Sequence, residues 1–214
     1  MENNKYEIFL DLLEKENKGK ALLFILDLLK KDVDIVSVYE EYLIPSLSDF
    51  KCLLVDEEIC IWKEHTRTSI IRTILEASYP YIIEQKRKTN NKKVIVLCPQ
   101  EEYHEIGAII ANNYFYLLGF ESSYIGANTP SEDILSAIKI LKPDYIALSV
   151  SNYYNLVVTR KLTKKIKDSY PNLSIILGGQ AFTKSKSLEQ VTYDFNLNSY
   201  QDLVAFAAEV IEWN

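Results

Sequence analysis

Val94-Ile95-Val96-Leu97-Cys98-Pro99-Gln100-Glu101-Glu102-Tyr103-His104-Glu105-Ile106-Gly107 is the stretch that decides the fold. Its first five residues are apolar and mostly β-branched, the pattern of a fully buried strand, and Pro99 ends the run. Helical spacing takes over at Ile106 and continues to Leu118, so His104 lies at the mouth of a strand-to-helix turn. Open α/β sheets bind their ligands at such carboxyl ends of strands. His104 is one of only two histidines in 214 residues, and its position makes it the first pointer to function.

Outward from that stretch the alternation persists. Apolar runs recur at Phe120 to Ile125, Tyr145 to Val150 and Leu173 to Leu177, with a weaker one at Thr192 to Phe195, separated by amphipathic segments of helix length. A last helix is expected from Ser199 to Ile211. Right-handed crossovers then require a mostly parallel sheet, so residues 89–214 read as a five-stranded, doubly wound, flavodoxin-like (Rossmann-like) α/β domain. Residues 1–88 read differently. Ile8, Phe9, Leu12 and Leu13 recur at helical spacing, as do Leu22, Ile25, Leu26 and Leu29, with Asn17-Lys18-Gly19 as a stop between them. A third helix is expected from Asp34 to Phe50, bent at Pro45, and a fourth from Ile61 to Gln85, kinked at Pro80. Together they predict a small antiparallel four-helix bundle, joined to the α/β domain by the Asn- and Lys-rich stretch 86–92.

Composition narrows the function classes. A net charge of −6 argues against a whole-protein grip on nucleic acid, which depends on clustered cations neutralising phosphates. The one basic run, Lys86-Arg87-Lys88 with Lys92-Lys93, reads as a solvated linker. Cys52, Cys60 and Cys98 form no CxxC pair, so they predict buried thiols rather than a disulfide framework or a thiolate zinc site. The amino terminus lacks a signal-peptide pattern, and no apolar run approaches the roughly 18 residues that span a bilayer. A cytoplasmic protein without membrane attachment is expected.

Three elements of the α/β half fall at strand ends: the His104 turn, Ser149-Val150-Ser151, and Gly178-Gly179-Gln180. Forty-one residues separate Gly107 from Ser149, and twenty-six separate Ser151 from Gly178. In order, interval and strand context this resembles the cobalamin (vitamin B12)-binding domain family, whose pattern is D-x-H-x-x-G, then S-x-L or a variant, then G-G. Glu102 stands at the family's Asp, as in a subgroup of the family, and Ser151 at the third position of the serine motif. The resemblance implies that His104 is the lower axial ligand of cobalt, replacing the cofactor's own benzimidazole, with the displaced nucleotide tail in a slot beside the sheet. Imidazole suits a borderline transition metal, and its second nitrogen needs an acceptor, which Glu102 can supply. Tyr103, Glu105, Ile106 and Gly107 flank the ligand. Ser149 and Ser151 offer hydroxyls, and Gly178, Gly179 and Gln180 border the expected slot.

The helical half adds a second likeness. Residues 39–75 resemble the four-helix cap of the cobalamin-dependent photoreceptor regulators, in which a Trp and, after nine intervening residues, a Glu-His pair cover the upper face of the corrin. Glu64 and His65 match that pair, with His65 as an upper axial candidate, whereas Leu54 occupies the Trp position and Trp62 is out of register. His104-Glu105-Ile106-Gly107-Ala108, Tyr124-Ile125-Gly126 and Thr129-Pro130 also look like this subgroup. In those regulators a DNA-binding domain precedes the cap. This chain begins almost at the cap, so direct DNA readout is not expected. The resemblance therefore implies a cobalamin-binding sensor, not itself an enzyme, signalling through a separate protein partner or a change of homo-oligomeric state. The alternative is a corrinoid methyl-carrier subunit of a methyltransferase system. Adenosyl-, methyl- and hydroxocobalamin all stay open as the bound form.

Overall fold

The computed structural model describes residues 2–49 and 57–210, with side chains for all of these but 2–4, 57–60 and 185. The chain divides into two compact units, residues 1–85 and 86–214.

The first unit is helical. Helix α1 (Glu2–Glu14) and α2 (Lys18–Lys30) are separated by a turn in which the Asn17 side chain accepts the Lys20 amide, an N-cap. The third expected helix is one run of three pieces: α3 (Ile35–Val38), a π-helical turn (Tyr39–Leu43) and α4 (Ile44–Ser48). The widening falls just before Pro45, which has no N–H to continue the α-helical ladder. Helix α5 (Glu57–Gln85) runs through Pro80 without a break. The rings of Phe9, Phe24 and Tyr42 meet at centroid distances near 6 Å. Buried Arg67 on α5 donates to the Ser46 carbonyl at 2.8 Å and pairs with the Glu14 carboxylate, so a deeply buried cation ties α5 to α4 and α1.

The second unit is the doubly wound sheet. Strands β1 (Lys93–Pro99), β2 (Glu121–Thr129), β3 (Tyr145–Ser149), β4 (Ser174–Gly178) and β5 (Phe195–Asn196) lie in the order β2-β1-β3-β4-β5, and every pairing is parallel. Helices α6 (Ile106–Leu117), α7 (Ser131–Leu141), α8 (Leu156–Ser169), α9 (Ser185–Leu188) and α10 (Tyr200–Val210) make the crossovers and the end cover. On one face Ile134 and Ile138 of α7 and Leu162 and Ile166 of α8 pack on Ile95, Leu97, Ile146, Leu148 and Ile175. On the other, Phe115, Phe120, Tyr145, Phe195 and Phe206 form a ring cluster in which Phe206 of α10 meets the other four.

Two strands differ from the expected limits by more than one residue. β2 continues past Ile125 to Thr129 by absorbing two register shifts against β1, helped by positive φ at Gly126 (141°) and Asn128 (50°). β5 is only two residues; just before it the Asp194 amide donates to the Ile175 carbonyl at 2.9 Å, and the Asp194 carboxylate accepts the Ile175 amide at 2.7 Å. Chain direction reverses between β1 and β3: β1 leads outward to β2, and β3 leads the other way to β4. In open α/β sheets the ligand crevice lies at such a switch point, here the carboxyl ends of β1 and β3. Among the described residues, no helix is long and apolar enough to cross a membrane.

Phe206 is central to the ring cluster and 3% exposed. Phe206→Ala should destabilise the protein by about 3–5 kcal/mol, while Phe206→Leu should cost less than about 1.5 kcal/mol. Urea unfolding followed by far-ultraviolet circular dichroism would measure both.

Candidate functional site

The site is built around a carboxylate. Glu102 is 0% exposed, yet among the described residues no buried side-chain polar atom lacks a partner. Its Oε1 accepts the His104 amide at 3.0 Å and faces His104 Nδ1 at 2.6 Å. Its Oε2 accepts the amides of Ser151 at 3.0 Å and Asn152 at 2.9 Å, and the Asn155 side-chain amide at 3.0 Å. One oxygen therefore serves the turn after β1, and the other the turn after β3. Burial alone would raise the Glu102 pKa, but the amides of Asn152 and His104, the His104 ring and the Asn155 side chain outweigh it, holding the carboxyl below the ordinary glutamate range.

An ionised Glu102 is an acceptor only, so Nδ1 of a neutral His104 carries the proton and Nε2 keeps its lone pair. The His104 side chain is 57% exposed. The arrangement thus presents one oriented imidazole donor at the mouth of the crevice. Among the described residues, no three His, Cys, Asp or Glu side chains converge as a metal cage. A single donor of this kind suits a metal that brings its remaining ligands with it.

The turn itself is held by its neighbours. Glu101 has φ +71°, and its amide donates to the Asn128 side chain at 2.8 Å, while the Asn128 amide donates back to the Glu102 carbonyl at 2.8 Å. Asn155 also donates to the Glu101 carbonyl at 3.2 Å. Tyr124 on β2 donates to the Glu105 carboxylate at 2.7 Å. Cys98 lies beneath, its Sγ 3.7 Å from the His104 carbonyl, and burial followed by the Glu102 and Glu105 charges pushes its thiol up to about 12.

Most expected residues of this unit meet at the crevice. Ile106 is buried at the start of α6, and Gly107 lies where an added Cβ would touch Ser149 Oγ at 3.5 Å. Ser149 pairs in register with Gly178, so the serine and glycine motifs are adjacent strand ends. Ser151 contributes its backbone amide to Glu102. Tyr103 is exposed beside His104. Gln180 opens a short 3₁₀ turn, and its carbonyl accepts the Tyr153 hydroxyl at 3.0 Å. The glycine pair has a further cause within the chain itself. A Cβ on Gly178 would come within 2.8 Å of the Leu197 carbonyl oxygen, and one on Gly179, at φ +100°, within 2.5 Å of the Val150 carbonyl oxygen.

Glu64 and His65 are exposed on α5 of the first unit, and Leu54 lies outside the described residues. Sequence reading passed over Asn152, Asn155 and Asn128, and took Tyr124 only as part of a likeness rather than as a site residue. The signal was the asparagine-rich run Ser151-Asn152-Tyr153-Tyr154-Asn155 directly after a buried strand, which supplies the donors that a buried carboxylate demands.

Because the folded-state pKa of Glu102 is depressed, its stabilisation is complete above the unfolded glutamate value of about 4.3 and is lost as pH falls from there through the folded value. Glu102→Gln keeps the shape but points an NH₂ at donors on one side. The wild type should be the more stable by about 1–3 kcal/mol near neutral pH, with the gap narrowing as the pH drops below about 4. Urea midpoints of the two proteins across that range would test this.

Comparison with known proteins identifies the α/β unit. Residues 92–197 match the model of the B12 binding domain. The chain is 22% identical over 132 residues to the HTH-type transcriptional repressor CarA of Myxococcus xanthus, covering 62% of this chain and 43% of that protein. It is 22% identical over 147 residues to the repressor CarH of the same organism, covering 68% of this chain and 48% of that protein. The chain thus spans about half the length of these curated relatives. In fold it is similar to the Methanosarcina barkeri monomethylamine corrinoid protein, with a TM-score of 0.83 at 14% identity over 98% of this chain and 100% of the other. Through residues 92–197, the chain belongs to the B12 binding domain family.

Proposed function

We propose that the protein is a cytoplasmic cobalamin-binding sensor module, a binding protein rather than an enzyme, that holds its corrinoid base-off with His104 Nε2 as the lower axial ligand of cobalt. The observation that carries this reading is the Glu102-held, exposed imidazole at the switch point of a B12 binding domain. Glu102 fixes the tautomer and orientation of the ring and raises its donor strength. Tyr103, Glu105, Ile106 and Gly107 would border the lower face. The Ser149 and Ser151 hydroxyls, with Gly178, Gly179 and Gln180, would line the path of the displaced nucleotide tail.

A bound alkylcobalamin supplies a light-sensitive cobalt–carbon bond. In the sensor reading Glu64 and His65 belong to the cap, and His65 is the group available to replace a lost upper ligand. Leu54 stands in the sequence where the photoreceptor regulators carry tryptophan, and a leucine there would leave the upper face more open or fill it differently. Likeness to CarA supports the sensor reading, because the aligned stretch is longer than the B12 binding segment and so reaches beyond it. Signalling would then run through a protein partner or a change in self-association, without direct contact to nucleic acid. A second reading is a corrinoid methyl-carrier subunit. It is favoured by the whole-length likeness in fold to a monomethylamine corrinoid protein.

The deciding experiment incubates the purified protein with hydroxo-, methyl- and adenosylcobalamin, removes free cofactor, and records absorption spectra and elution volume in the dark and after illumination. A retained base-off, histidine-ligated spectrum with a light-driven change of size is expected. Retention with no light-driven change of size, joined to methyl exchange with cob(I)alamin, would favour the carrier, and no retained corrinoid would overturn both readings. His104→Ala should lose the histidine-ligated spectrum and bind at least about tenfold more weakly. His65→Ala should bind normally in the dark but give a different photoproduct spectrum, and an identical photoproduct would remove His65 from the mechanism.

A further inference from the structure

The turn that clamps Glu102 continues into an exposed stripe that the proposed cofactor site leaves unexplained. Tyr154 is 89% exposed and Val157 60% exposed, with Tyr153 also at the surface. Arg160, Lys161 and Lys164 follow at helical spacing on the outer face of α8, and all three are exposed. Lys184 extends the stripe from the far side, its Nζ 5.4 Å from the centroid of the Tyr153 ring. Lys164 pairs with Asp168. Arg160, Lys161 and Lys184 have no carboxylate partner among the described residues.

Two tyrosines, an aliphatic residue and three uncompensated cations thus line one continuous surface on a chain whose net charge is −6. The other lysines of α8 are differently placed: Lys165 bonds Glu132, and Lys167 bonds Asp194 at 2.7 Å. Tyrosine and arginine are enriched among the few residues that carry most of the energy of protein interfaces. Local positive charge on an otherwise acidic molecule selects and orients a negative partner.

We propose that Tyr153, Tyr154, Val157, Arg160, Lys161 and Lys184 form a docking surface for an acidic protein segment that also carries apolar side chains. Three free cations neutralise few phosphates, and the aliphatic Val157 sits in the middle of the stripe. A peptide alternating carboxylates with apolar groups therefore fits it better than a nucleic acid backbone. The stripe begins on the turn whose amides hold Glu102, so a docked segment lies beside the carboxylate that orients His104.

The test is fluorescence anisotropy on the full chain with a fluorescein-labelled peptide alternating Glu with Leu and Phe. The same peptide with Gln for Glu and a labelled oligothymidylate of matching length serve as comparisons. Saturable binding of the Glu peptide is expected, weakened by salt and at least about tenfold weaker in Arg160→Glu/Lys161→Glu. Tyr154→Ala should weaken it while leaving its salt dependence unchanged. Absence of binding, equal binding by the charge-reversed protein, or tighter binding of the oligothymidylate through the same residues would each overturn the proposal. All of the substitutions are at the surface, so unchanged circular dichroism separates lost docking from lost folding.

Discussion

Everything at the crevice depends on keeping one carboxylate charged where water cannot reach it. An ionised group out of solvent costs several kcal/mol unless its lone pairs are met, and Glu102 meets that demand with five donors from two turns. Removing any of them exposes part of the desolvation cost, so the turns after β1 and β3 are constrained by the same charge that orients His104. The tautomer of the imidazole follows from this arrangement, and Nε2 is available because Nδ1 is engaged.

The strand order makes such sharing possible. Only where neighbouring strands send their chains in opposite directions do two strand-end turns face each other across an open gap. β1 and β3 are that pair here. Their register, Leu97 beside Leu148, brings Glu102 within reach of Ser151 and Asn152 although about fifty residues lie between them in sequence. The next register pair, Ser149 beside Gly178, brings in the glycine turn, where Gly179 packs its backbone on Val150. Close backbone approach explains why side chains are missing there, before any ligand is considered.

How much of this was readable from the chain depended on the range of the interaction concerned. Buried β-branched runs and helical spacing are local, so the alternation of strands and helices in residues 93–210 and the helices of the first unit could be read directly. His104, Glu102, Gly107 and the serine and glycine motifs could be read through their spacing. The length of β2 could not, because two register shifts and the left-handed backbone at Asn128 carry it past Gly126, which reads as a turn. Asn152 and Asn155 were hidden for a different reason. Asparagine after a strand is ordinary turn chemistry, and its partner here is a carboxylate on another strand. The π turn ahead of Pro45 was half legible, since the sequence marks the break but not how the backbone accommodates it.

Glutamate rather than aspartate at position 102 has a physical reading in this framework. Oε1 is committed to His104 at 2.6 and 3.0 Å, and Oε2 to the amides of Ser151 and Asn152 and the side chain of Asn155 at 2.9–3.0 Å. Aspartate, shorter by one methylene, could keep both sets only if the turn after β3 moved toward β1 by a comparable length. That turn is not free to move. Tyr153 is tied to the Gln180 carbonyl, Asn155 to the Glu101 carbonyl and the Val150 amide to the Gly178 carbonyl. The longer carboxylate and the asparagine-bearing turn are matched to each other, and the imidazole inherits its orientation from that match.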